Sequence, residues 1–221
     1  MKPLSCMNDL KNKSLYLAAV IYVIISIILG MILNNGLVIF LGWNMILATV
    51  PLVLTQIYSK QKSKFLKIGI AFLFLIFFPN AVYIMTDLIH FQNYTFFLDY
   101  PNIYAYLIKD WLIFAHLVIG ALISSKIAIK SLQILLSNMK EIKAIIRIIG
   151  VNILFILSSS AIYIGRFIRF NSWEFYKINL IFLDIFNHFK FFAFFVFILF
   201  ILHWVIFFVF YEKKEPMAQI K

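Results

Sequence analysis

The sequence is short of cysteine, acid and glycine, and each shortage removes a class of protein. A single thiol, Cys6, excludes an intrachain disulfide and any zinc or iron–sulfur site built from several thiolates. The seven glycines are scattered, so no phosphate-cradling loop is present. Neither an HExxH nor a GxSxG string occurs. Charged residues make up only 13% of the chain, against about 25% in an ordinary soluble domain. Hydrophobic residues take up 64%, too many for a soluble fold. Lys and Arg number 20 against nine Asp and Glu, giving a net charge of +11. That excess could suggest nucleic acid, but a nucleic-acid binder gathers its bases on one folded face. Here they sit in short tracts between apolar runs, as in membrane proteins, so no nucleic-acid partner is expected.

A spanning helix needs roughly 20 apolar residues. Six segments qualify, at about 15–33, 37–57, 66–90, 103–125, 142–165 and 190–210. The alternation of a transmembrane β-barrel is absent. The expected fold is all-α, a polytopic bundle of six transmembrane helices. Residues 15–210 form that domain, flanked by tails at 1–14 and 211–221. The first run is too long for the apolar core of a signal peptide and is expected to stay as an anchor. Basic residues set the orientation. Tracts at Lys2–Lys13, Lys60–Lys67, Lys126–Arg147 and Lys213–Lys221 hold 15 of the 20 and all fall on one side of the six-span arrangement. The positive-inside rule then places both termini in the cytoplasm.

On the opposite side lies a crowd of polar residues. The third span ends in "PNAVYIMTDLIH", where Asn80, Tyr83, Asp87 and His90 are separated by three, four and three residues and so form one helical stripe. The fifth ends in "GRFIRFNSWEF", with Arg166, Arg169, Asn171, Trp173 and Glu174. The second and fourth begin there, with "GWN" at 42–44 and "KDW" at 109–111, the latter carrying Asp110. The sixth is entered through "DIFNHFK", at 184–190. An ionised Asp at mid-membrane costs about 2.5–3.5 kcal/mol, so Asp87 and Asp110 are expected to point inward and pair with Arg166 or Arg169. Pro79 is expected to kink the third span, with Asn80 near the freed carbonyl of Leu75. Residues 170–190 are expected to lie along the interface as a short amphipathic helix. Asn44, His116, Asn152 and His203 are expected to make interhelical hydrogen bonds rather than a relay.

These strings resemble a known family. "PNAVYIMTDLIH" and "GRFIRFNSWE" are similar to the two signature stretches of the bacterial membrane-protein family called domain of unknown function 1361. "GWNMILATVPL" resembles its first motif, and Asp110 the acid that opens its fourth helix. Val82, Phe170 and Glu174 depart from its commoner proline, tryptophan and aspartate. The resemblance covers roughly residues 35–210. It implies a multi-pass protein of the bacterial cytoplasmic membrane and no established activity.

Three functions fit. The first is a binding or accessory protein whose rim recognises an anionic small molecule, lipid headgroup or envelope precursor. Two arginines with Asn and Trp suit a phosphate or carboxylate. The candidate ligand-binding residues are Asn80, Tyr83, Asp87, His90, Asp110, Arg166, Arg169, Asn171, Trp173 and Glu174. The second is a small secondary transporter gated at Asp87–Arg166, which requires a polar path down to Lys60–Lys67. The third is a membrane-embedded hydrolase or transferase using Asp87, His90 and Asp110. Asp87 and His90 could share a metal ion, but the neighbouring arginines would repel it, so neither metal nor cofactor is expected. The bilayer is the one certain partner; the sequence assigns no oligomeric state.

Overall fold

In a computed structural model, residues 4–98, 103–139, 141–168 and 178–212 are described, with side chains from residue 12 onward and from 179 in the last stretch. The apolar runs become long helices: α1 (Leu4–Ile32), α2 (Gly36–Lys60), α3 (Lys64–Thr86), α4 (Ile108–Ser137), α5 (Ala144–Tyr163) and α7 (Phe189–Phe210), with a short α6 (Ile178–Asn187) between the last two. Six of them are long and apolar enough to cross a membrane. Among the described residues there is no strand, only one isolated bridge between Phe97 and Tyr104. The protein is a multi-pass helical membrane protein.

Local signals explain most helix ends. Asn34 takes a positive φ of 48°, which Asn tolerates better than most residues. Asn35 then caps α2, its Oδ1 accepting from the N–H groups of Leu37 and Val38. Ser63 caps α3 through the N–H of Leu66. Pro51 and Pro79 do not end their helices. Asn80 donates to the carbonyl of Phe77, not that of Leu75, so the expected repair at Pro79 takes another route.

The fourth span differs from the sequence-based bounds. It starts five residues later and continues twelve residues further, to Ser137. Ser124, Ser125 and Lys126 read as a membrane exit, yet the helix absorbs them. Ser124 and Ser131 turn back to the carbonyls of Ala121 and Ala128 in their own helix. Lys126 reaches the end of α7, where it donates to the Phe210 carbonyl and pairs with Glu212 at 2.8 Å. Lys130 lies 3.9 Å from the same carboxylate. Residues 103–107 belong instead to an extended connection held by Leu98 N–H to Ile103 O and Ala105 N–H to Phe96 O.

Packing divides the bundle in two. α2 is central to one group, lying against α1, α3 and α4. α5 and α7 form a pair that joins this group through α3 and α4. The core between them is apolar, with Leu41, Met45, Leu52, Phe78, Phe155 and Ile127 fully buried.

Candidate functional site

The third and fifth spans, which end on the same side, both lose α-geometry there. α3 tightens into a 3₁₀ segment at Asp87–Asn93, and α5 widens into a π-turn at Ile164–Ile168. Such departures inside long helices often mark functional positions. Asp87 opens the first and Arg166 lies within the second. Their side chains meet, Arg166 Nη2 lying 2.6 Å from Asp87 Oδ1.

The rest of the site is built around this pair. Asn44, two turns into α2, donates from Nδ2 to the other Asp87 oxygen at 3.0 Å. Arg166 Nη2 also donates to Thr86 Oγ1 at 2.6 Å. The guanidinium lies over the Tyr83 ring, 4.4 Å from its centroid. Asp87 is completely buried, whereas 16% of the Arg166 side chain is exposed. Arg166 Nε is buried with no hydrogen-bond partner among the described residues. The pair is therefore closed on the acid's side and open on the base's.

None of the other expected members bonds to this pair among the described residues. Asp110 is buried at the start of α4, but its Oδ2 accepts the backbone N–H of Thr95 at 2.9 Å. It ties the 94–107 connection to the helix and completes the first turn, where a carboxylate is favoured. Asp110 makes no ion pair among the described residues, and Arg169, one of its two expected partners, lies outside them. His90 is half-buried and makes no hydrogen bond among the described residues. Asn80 is taken up by its own helix. Arg169, Asn171, Trp173 and Glu174 lie outside the described residues. α6, at Ile178–Asn187, occupies part of the 170–190 stretch expected to be helical. There Asp184 accepts from the Tyr163 hydroxyl at 2.8 Å and sits 3.2 Å from His188 Nδ1.

Two residues of the cluster, Asn44 and Thr86, were absent from the sequence-based site. The "GWN" string carried a signal for Asn44, but only the rotation of α2 aims it at Asp87. Thr86 had only its place beside Asp87.

Below the cluster the interior is filled. Met45, Ala48, Leu52, Phe74 and Phe78 are all buried. The two buried histidines are satisfied locally. His116 stacks on Tyr22 at 4.2 Å and bonds Ser26 Oγ through Nε2 at 2.9 Å. His203 bonds the Leu199 carbonyl through Nδ1 and Ser158 Oγ through Nε2, at 2.7 and 2.9 Å. Both act as interhelical ties, as expected; the Asn152 amide instead returns to Ile148 O in its own helix. Among the described residues, no three His, Cys, Asp or Glu side chains gather as metal ligands would.

No curated protein and no solved structure matches this chain significantly. The family model described as "Protein of unknown function (DUF1361)" matches residues 43–208, and the chain belongs to that family.

Proposed function

We propose that this member of a family without an assigned activity is a membrane-embedded binding protein. Arg166 receives the anionic group of a polar headgroup or envelope precursor at the rim opposite the lysine-rich tracts. On the positive-inside reading that rim faces outward, and the family resemblance supports a bacterial cytoplasmic membrane as the setting. The observation that supports this is the asymmetry of the ion pair: Asp87 is sealed, while the Arg166 side chain is 16% exposed and its Nε has no partner among the described residues. An Arg held from behind by a carboxylate, and from one face by a tyrosine ring, is fixed before a ligand arrives. Fixing it in advance reduces the ordering cost of binding. Guanidinium groups suit phosphate and carboxylate because their donors form a rigid fork. His90, Arg169, Asn171, Trp173 and Glu174 are close in sequence to the pair and belong to the proposal on that ground. The carrier reading is less favoured, because apolar side chains occupy the interior beneath Asn44 and Asp87.

The test uses purified protein in detergent, with glycerol 3-phosphate and inorganic pyrophosphate as probes and glycerol as the uncharged control. The anions should raise the unfolding temperature of the wild type, and glycerol should not. Arg166→Lys keeps a cation beside Asp87 but loses the fork, so the response should disappear while the fold survives. An anion response unchanged in Arg166→Lys would reject the reading.

A further inference from the structure

At the lysine-rich end, a groove of about 320 Å³ runs between α3, α4 and α5. Its walls are Ala71 and Phe74 of α3, Leu132 and Leu136 of α4, and Val151 and Leu154 of α5. All six belong to helices long and apolar enough to cross a membrane, and the groove lies near the lysine-rich end of those helices. Two residues are out of keeping with a simple packing defect. Arg147, in the first turn of α5, lines the groove, and its Nε is buried with no hydrogen-bond partner among the described residues. Gly150 also lines it, one turn deeper, and a Cβ added there would meet nothing within 4 Å. Glycine weakens a helix interior, and no neighbour requires it here. Its missing side chain leaves space open along the groove.

We infer that this groove is a binding site for one anionic phospholipid of the leaflet at the lysine-rich end, with an acyl chain along the groove and the phosphate at Arg147. Charge complementarity favours an anionic lipid over a zwitterionic one. Lys143 lies one turn before Arg147. Lys67 and Lys64 precede Ala71 by four and seven residues, on the same face of α3. Glu141, the acid nearest in sequence, is exposed and forms no ion pair among the described residues. The phosphate supplies the acceptor that Arg147 Nε lacks, in the planar geometry an arginine favours. Cationic segments at a membrane surface also raise the local concentration of anionic lipid. The site is independent of Arg166, which lies nineteen residues further along the same span.

Native mass spectrometry tests this on the full chain, delipidated and re-exposed to equal amounts of phosphatidylglycerol and phosphatidylcholine with identical chains. The wild type should retain one phosphatidylglycerol in preference to phosphatidylcholine. Arg147→Gln should cut that preference about tenfold, the loss expected for a charge-assisted hydrogen bond. Gly150→Leu should fill the groove and release both lipids. Arg166→Lys should leave retention unchanged. Thermal unfolding of each variant in detergent verifies folding, and Arg147→Lys serves if Arg147→Gln does not fold. Equal retention of both lipids by the wild type, or wild-type retention by Gly150→Leu, would overturn the site.

Discussion

Each end of the bundle holds an acid against a base, and the two pairs have different physical characters. At one end Asp87 is fully buried and bonded by Asn44 from α2 and by Arg166 from the turn that continues α5, and Arg166 also donates to Thr86 of α3. At the other, Lys126 and Glu212 are 27% and 36% exposed and join the long α4 to the chain just after α7. Burial raises the cost of separating charges, because a carboxylate that loses its partner inside a low-dielectric interior cannot turn to water. At the exposed pair water replaces most of what is lost. Both pairs therefore join the two halves of the bundle, the first through a sealed joint and the second through a partly exposed one.

Substitutions can break this contrast, beginning with the strongest. Arg166→Ala should cost about 3–5 kcal/mol in reversible unfolding in detergent, because Asp87 is left buried and unpaired. The double variant Asp87→Asn, Arg166→Gln should recover most of that loss. If the double variant is as unstable as the single, packing rather than charge holds the joint. Asn44→Ala should cost about 1–2 kcal/mol by the same measurement, as an interhelical hydrogen bond to a charged oxygen. Tyr83→Leu should cost about 1 kcal/mol, the worth of a partly buried cation–π contact. Glu212→Gln should cost only about 0.5 kcal/mol and become silent in 1 M salt, while the effect of Arg166→Ala should persist there. A Glu212→Gln effect as large as that of Asn44→Ala would erase the distinction between the ends.

The sequence disclosed the bundle more fully than the joint. Six spans were legible because uninterrupted apolar length is itself the physical requirement for crossing hydrocarbon. The meeting of Asp87 and Arg166 was legible because opposite charges at one depth have few other partners. The far end of α4 was hidden: Ser124, Ser125 and Lys126 look like an exit until Glu212 and the Phe210 carbonyl are found beside the lysine. The Thr95 bond of Asp110 was hidden for a related reason. Its acceptor is used by the backbone of Thr95, and backbone donors leave no trace in composition. Asn44 depended on helix rotation, which apolar residues all around α2 do not specify. The turns at 87 and 164 were not read from the sequence, although Asp87 and Gly165 are weak helix formers, because such residues occur in many unbroken helices.

The π-turn at Ile164–Ile168 also bears on which changes of length the chain tolerates. Each residue of a regular helix advances the facing by about 100°. A π-turn takes up one residue more than the α-turn it replaces, so deleting one residue between 164 and 168 would let the ordinary ladder run through and abolish the turn that holds Arg166. Arg166 would then lose its present place against Asp87 and Tyr83, although composition and hydropathy would scarcely change. An equal deletion in the 61–63 connection would be absorbed by the linker. Frame-preserving deletions scanned along the gene should therefore be tolerated in that linker and rejected at 164–168.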